Sequence, residues 1–220
     1  MQRQIISTED GSHTFYIPEM DEHFHSVHGA IQESEHIFIR NGLLRCSKKK
    51  IFIFEAGFGT GLNAFLTLVN RGDKEINYCS IEKYPLTPKE YEKLNYPQLL
   101  GASNNGIFLR MHRCGWNKPE RIIQGFNLLK IKADLLETNL TDLPFFDLIY
   151  YDAFAPSKQP ELWDEKILTA IASHTSRHGI FITYCAKGEV RRSLTRCGFK
   201  MQRLAGPPGK KEILYGEKTD

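Results

Sequence analysis

The chain has 220 residues, 41% of them hydrophobic and 25% charged, with a formal net charge of +3. Those values fit one large α/β domain that buries a real core, and so small a net charge names no partner by itself. The longest apolar runs, 51–54 and 148–151, are too short to cross a bilayer, and no basic-then-apolar leader opens the sequence. The five scattered cysteines lack metal-ligand spacing and read as reduced thiols of a cytoplasmic protein.

Residues 1–50 form an N-terminal extension, and residues 51–220 form the core of a single domain over 1–220. In the extension, 14–17 reads as a strand paired in a hairpin across Asp10-Gly11, and 26–41 as a helix ending near Asn41-Gly42. Five of the eight histidines lie here (His13, His23, His25, His28 and His36), without metal-binding spacing, and read as lid or RNA-contact residues. Strand and helix signals then alternate. A strand at 51–55 is followed by a glycine loop and a helix through about Asn70, then by a strand at 76–82. A helix over 88–94 has proline in its first turn. Residues 95–120 read as loop-rich. Strands at 121–123 and 128–133 flank Gly125-Phe-Asn127 as a hairpin. A strand at 146–152, a helix over 161–174, a strand at 179–184 and a helix over 187–197 come next. Strands at 199–204 and 211–215 close the chain. The pattern predicts a Rossmann-like, mostly parallel, doubly wound α/β sheet with an antiparallel C-terminal edge. Its ligand site belongs beyond the carboxyl ends of the strands.

The stretch Phe54-Glu-Ala-Gly-Phe-Gly-Thr-Gly-Leu62 leaves an apolar strand and enters a helix. Gly57, Gly59 and Gly61 let the backbone turn sharply around Phe58 and let a ligand approach closely. A dinucleotide fingerprint would need glycine where Leu62 stands, and a phosphate-gripping loop would need Lys and Ser/Thr after its last glycine. Glu55, Glu82 and Asp134 end three successive strands, with Lys83 beside Glu82. Three carboxylates without a phosphate-binding lysine match S-adenosylmethionine better than a nucleoside triphosphate. Glu82 suits the ribose hydroxyls, and Asp134 an adenine amino group.

A second motif, Asp147-Leu-Ile-Tyr-Tyr-Asp-Ala-Phe-Ala-Pro-Ser-Lys-Gln-Pro-Glu-Leu-Trp163, resembles the methyltransferase half of the MnmC family. Glu55-Ala-Gly-Phe-Gly-Thr-Gly-Leu-Asn63, Glu82-Lys-Tyr-Pro-Leu-Thr87, Val190-Arg-Arg192 and Gly209-Lys-Lys-Glu212 extend the resemblance over nearly the whole chain. The resemblance implies a class I methyltransferase fold. It also implies methyl transfer from S-adenosylmethionine to 5-aminomethyluridine, with or without 2-thiolation, at the tRNA wobble position. In it Glu55, Gly57, Gly59, Gly61, Glu82 and Asp134 face the cofactor, and Asp152 faces the substrate amine. Asp21-Glu-His-Phe-His-Ser26 departs from the family's Asp-Asp-x-Tyr-Phe-Ser element, with Phe24 where tyrosine is usual, which brings any hydroxyl contact from this segment into question. The family's flavin oxidase domain has no counterpart in this sequence, so the resemblance implies substrate made ready by other enzymes.

Methyl transfer from a sulfonium needs an uncharged amine held in line with the methyl–sulfur bond. An ordinary carboxylate is a poor base for an amine of pKa roughly 10, so Asp152 reads mainly as an orienting group. Phe154 suits packing on the uracil ring, Pro156 stiffens its loop, and Lys158 lies near the RNA. One of the two tyrosines Tyr150 and Tyr151 packs in the core. Residues 177–211 carry nine Lys and Arg against Glu189 alone. That is a phosphate-binding footprint for an anticodon stem-loop, with Arg191, Arg192, Lys210 and Lys211 as its leading residues. Two other readings stay open: a small-molecule amine methyl- or aminopropyltransferase, and a non-catalytic RNA-binding module.

Overall fold

The computed structural model describes residues 2–101 and 105–219. Strands β1 (Gln4–Ser7) and β2 (His13–Ile17) pair antiparallel across the Asp10-Gly11 turn, and β3 (Glu22–His23) extends them into a small sheet. Helix α1 (Ala30–Ser34) starts later than the sequence pattern suggests. Gly29 holds φ at 141°, outside helical space, and from Glu35 to Arg40 the turn widens to a π-helix.

The main sheet has eight strands in the order β10-β11-β9-β8-β4-β5-β7-β6. Its centre is β4 (Lys50–Ala56), β5 (Glu75–Glu82), β7 (Phe126–Lys132), β8 (Phe146–Tyr151) and β9 (Thr175–Thr183), all parallel. These strands are buried on both faces, which is why they read as nearly unbroken apolar runs. Ile53 and Tyr150 point into one core layer; Phe54 and Tyr151 point into the other. Helices α2 (Leu62–Asn70) and α5 (Asn105–Arg113) pack with the first layer. Helices α6 (Glu165–Ser173) and α7 (Gly188–Arg196) pack with the second. Strand β11 (Glu212–Lys218) lies between β9 and β10 (Phe199–Ala205) and runs against both, so the outermost strand at that end is β10. At the other edge β6 (Pro119–Ile123) turns back on β7 through Gly125, whose φ is 78°.

The predicted loop over 95–120 is instead partly helical. Helix α4 (Tyr96–Leu99) and α5 bury Tyr96, Phe108, Met111 and His112. Phe108, Met111 and His112 stand at i, i+3 and i+4, a short helical face whose signal was diluted by flanking glycine, asparagine and arginine. Helix α3 (Pro88–Tyr91) is shorter than expected but carries a Thr87–Glu90 capping box. Residues 160–163 form a 3-10 turn, and α6 begins only after Asp164, whose side chain accepts from the Lys166 amide. Strand β9 starts at Thr175, earlier than read, because the polar segment 175–178 joins the sheet through an irregularity with His178 at φ 61°.

Candidate active site

The chain runs outward from β4 through β5 to β7, then returns to place β8 on the other side of β4. Ligands bind at this kind of switch in strand order. Here the segments following β4, β5, β7 and β8 surround a pocket of about 250 Å³. Gly57, Phe58, Gly59, Glu82, Lys83, Asp134, Asp152 and Phe154, all named from the sequence as candidate cofactor or substrate residues, line it together.

Gly59 holds φ at 49°, and a Cβ there would come within 3.2 Å of the Phe24 ring, so only glycine fits without strain. Its amide donates to Glu82 Oε2 at 2.9 Å, and the Tyr84 amide donates to Oε1 at 2.7 Å. Glu82 thus ties the loop after β4 to the loop after β5. Lys83 donates to Asp134 Oδ2 at 2.6 Å, and this hydrogen bond holds the Asp134 carboxyl below its ordinary pKa. The Leu136 amide donates to the other oxygen at 3.0 Å.

Asp152 follows β8 and accepts from Asn63 Nδ2 on Oδ2 at 2.8 Å. Burial and the nearby Glu33 carboxylate push Asp152 up to about 8. Phe154 meets Phe24 edge to face at 5.3 Å.

Two expected cofactor residues stand behind the wall instead. Glu55 is 1% exposed and lies under the floor, with its pKa raised well above the ordinary carboxylate value, first by burial and then by Asp152. Gly61 turns the chain into α2 at φ 71°, and a side chain there would press on His112 and Phe58. Both tyrosines of β8 are core residues, not one of the two.

The proposed RNA residues divide. Arg191, Arg192 and Lys211 are exposed and make no ion pair among the described residues. Pro156 is partly exposed, and Lys158 Nζ lies 4.0 Å from Asp21. Lys210 turns inward: its ammonium sits 3.3 Å from Glu33 Oε1 and 4.6 Å from the centroid of the Tyr184 ring.

The N-terminal extension closes over the pocket with Arg3, Phe24 and His25. From the sequence His25 reads as a lid or RNA-contact residue, Phe24 is marked only by its missing hydroxyl, and nothing marks Arg3. Arg3 pairs with Glu90 at 3.1 Å, and its guanidinium lies 5.9 Å from the Phe24 centroid. His25 Nε2 lies 2.8 Å from Thr60 Oγ1, and burial pushes the ring down to about 4. Asn63 also lines the pocket; it stood in the quoted glycine motif, but nothing local marked it out.

A family described as S-adenosyl-L-methionine-dependent methyltransferase matches residues 126–219. The tRNA 5-methylaminomethyl-2-thiouridine biosynthesis bifunctional protein MnmC of Burkholderia multivorans is 31% identical over 95% of this chain and 34% of that protein. Its counterpart in Paraburkholderia xenovorans is 27% identical over 92% of this chain and 33% of that protein. The chain spans about a third of the length of the curated relatives it matches. Among solved structures, MNMC2 from Aquifex aeolicus superposes with a TM-score of 0.83 at 27% identity, covering all of this chain and 71% of that one. A methyltransferase from Pyrococcus furiosus shares the fold at a TM-score of 0.52 and 15% identity, over 93% of this chain and 88% of that one.

Fold and matches together define an S-adenosyl-L-methionine-dependent methyltransferase with a Rossmann-like, mostly parallel sheet. Within that class the chain is similar over nearly its whole length to a third of the MnmC proteins and to MNMC2, so the resemblance read from its motifs is borne out.

Proposed function

We propose that this chain methylates the exocyclic amine of 5-aminomethyluridine, with or without a 2-thio group, at the wobble position of tRNA. The single observation that carries the reading is Asp152, a carboxyl at the pocket wall with one oxygen held by Asn63. In support, the relatives named above are tRNA-modification proteins. Residues 1–220 act as one methyltransferase unit, with segment 1–50 as the cover of its pocket. The reaction takes place in the cytoplasm, downstream of enzymes that install the aminomethyl group.

The pocket's own groups fit S-adenosylmethionine. Gly57 leaves room for close approach, since a Cβ there would meet only the Asp152 carbonyl at 4.0 Å. Glu82 offers a carboxylate at the ribose position and Asp134 one at the adenine end. When bound, the cofactor supplies an electrophilic methyl group on a sulfonium. The remaining work belongs to Asp152. A carboxyl of pKa about 8 faces an alkylammonium of pKa roughly 10. In the empty pocket the mismatch for proton transfer is about a hundredfold, against about a millionfold for an ordinary carboxylate. An incoming ammonium and the cofactor's sulfonium favour the ionised form of Asp152, which readies it to accept a proton and gives back part of that gain. Its free oxygen then accepts the ammonium proton, which frees the nitrogen lone pair. The freed amine would take the methyl group from the cofactor's sulfonium, leaving the thioether and a secondary ammonium, and Asp152 would release its proton to water. Asp152 is therefore base as well as aligner, a larger role than an unshifted carboxylate would allow.

Exposed Arg191, Arg192, Lys211 and Lys158 contact the anticodon stem-loop, while Lys210 balances charge beside the amine site. The test is direct. The purified chain, S-adenosylmethionine and tRNA carrying 5-aminomethyluridine are combined, and the nucleosides are weighed by mass spectrometry. Conversion to 5-methylaminomethyluridine is expected. Methylation of free small amines with no conversion of tRNA would overturn the reading.

A further inference from the structure

Behind Asp152 lies a line of buried polar groups that the reaction above does not use. Glu55 on β4, Asn63 on α2 and Tyr78 on β5 are 1%, 2% and 1% exposed. Glu55 Oε2, Asn63 Oδ1 and the Tyr78 hydroxyl each lack a hydrogen-bond partner among the described residues. Asn63 and Tyr78 nevertheless both face the Glu55 carboxyl, and Asn63 donates its amide N–H to Asp152. Orphaned polar atoms at this depth are costly, so three together call for an account.

Counting donors supplies one. Asn63 has committed an N–H to Asp152, which leaves its carbonyl oxygen needing a donor. Tyr78 can donate one hydrogen, and an ionised Glu55 can donate none. If Glu55 carries a proton, every group is served: Tyr78 donates to Glu55, Glu55 donates to Asn63 Oδ1, and Asn63 donates to Asp152. An ionised Glu55 would instead set a second buried negative charge near Asp152 and leave the Asn63 carbonyl facing it.

We propose that Glu55 is held as a neutral acid and acts with Asn63 as a positioning pair, locking the Asn63 amide so that it aims the Asp152 carboxylate at the substrate amine. The pair keeps Asp152 Oδ2 occupied and leaves Oδ1 for the ammonium. Burial, the first cause of the raised Glu55 pKa, acts in the same direction. The other titratable groups bearing on Glu55 are Asp152, Cys79 and the tyrosines Tyr78 and Tyr150. None of them carries a positive charge that would ionise it. Hydrogen bonds from Ser80, Asn63 and Tyr78 pull toward the ionised form but are outweighed by burial and Asp152. This inference rests on Asp152 being the carboxyl that meets the amine.

The test compares Glu55→Gln with Glu55→Leu and adds Asn63→Asp. Glutamine repeats the neutral pattern, accepting from Tyr78 and donating to Asn63, so it should hold kcat within about threefold of the unsubstituted chain, with the acid limb of the pH–rate profile unmoved. Leucine should lower kcat at least tenfold at unchanged S-adenosylmethionine affinity. Asn63→Asp should displace the acid limb to higher pH by placing a second carboxyl against Asp152. Infrared spectroscopy of the chain without any substrate reads the proton itself. At a pH above the range in which Asp152 ionises, where Asp152 no longer contributes, the band of a protonated carboxyl should still be present and should vanish in Glu55→Gln. Absence of that band, or a Glu55→Gln chain as impaired as Glu55→Leu, would overturn the proposal. Because the infrared and cofactor-binding measurements need no tRNA, they hold even if the RNA substrate proves wrong.

Discussion

The two sides of Asp152 are built by different means. On the cofactor side, the wall consists of residues at or just beyond the ends of parallel strands: the glycine loop after β4, Glu82 at the end of β5 and Asp134 after β7. Backbone amides of Gly59, Tyr84 and Leu136 fix the two carboxylates. On the substrate side, the groups come from segments far apart in the chain. Glu33 belongs to α1, Tyr184 follows β9, and Lys210 belongs to the turn between β10 and β11, yet all three bear on one another and on Asp152. A site made by strand ends depends on local backbone geometry. A site made by distant side chains depends on how the whole chain closes.

The largest expected effect tests the cofactor side. Gly59→Val should abolish S-adenosylmethionine binding in calorimetry. A branched residue at φ 49° is strained and would strike Phe24 in a loop that the cofactor must approach closely. Wild-type affinity in a folded variant would remove the glycine loop from the site.

Next in size is Asp152 itself. Asp152→Ala should lower kcat by about two to four orders of magnitude, the range of a lost general base, with cofactor affinity nearly unchanged. Asp152→Asn separates its two roles. It keeps a carbonyl to align the amine but cannot take a proton, so it should lose nearly as much as alanine. The activity of the unsubstituted chain should rise with pH through the region near 8 where the free carboxyl ionises. An Asn variant with substantial activity and a flat profile would return Asp152 to alignment alone.

The same contrast decides what the sequence made legible. Strand–helix alternation, the glycine spacing and the acids at or just beyond the ends of β5 and β7 could be read because each is a local pattern with a fixed physical meaning. Glu55 looked like a third acid of that set, since it too stands at a strand end. Which way a strand-end side chain points is settled by packing against α2 and β5, and here it points inward. The histidines of the extension read as lid or RNA contacts without telling which one meets the pocket, and Arg3 gave no signal, because a cover folded back from residues 3–25 leaves no periodic trace. The 95–120 segment hid its helices for a related reason: only one turn of α5 is apolar enough to show. Lys210 and Lys211 are neighbours of the same charge, and only the fold turns one inward toward Glu33 and the other outward.

A more moderate effect tests how firmly the cover is seated. His25 and His112 are buried against the two sides of Thr60, and burial pushes them down to about 4 and about 3. Below roughly pH 6.5 the unfolded chain takes up protons that these rings refuse while folded, so their own contribution to stability falls as the pH drops from about 6.5 toward 4. The raised carboxyls of Asp152 and Glu55 act in the opposite direction. Each ring adds a slope of up to about 1.4 kcal/mol per pH unit over that window. Urea midpoints across pH 7 to 4.5, compared between the unsubstituted chain and His25→Gln, isolate the ring's own share, and the two curves should differ in slope by up to that amount. Parallel curves would mean that the His25 ring is open to protons in the folded chain and the cover is loose.

The smallest expected effects fall on the exposed cations, and they sharpen the contrast most finely because Lys210 and Lys211 are adjacent. Arg191, Arg192 and Lys211 stand free at the surface. If each meets a phosphate, its alanine variant should weaken tRNA binding modestly, flatten the dependence of affinity on salt by about one unit or less, and leave cofactor affinity and kcat at saturating tRNA unchanged. Lys210→Ala should do the opposite. Its ammonium is spent on Glu33 and the Tyr184 ring, so removing it leaves the salt slope alone. The loss uncovers the Glu33 carboxylate beside Asp152, and the acid limb of the pH–rate profile should move to higher pH. Binding isotherms at several salt concentrations, with one pH–rate series for each variant, separate the two lysines. Identical behaviour of the pair would place Lys210 on the RNA with its neighbour and empty the substrate side of its internal cation.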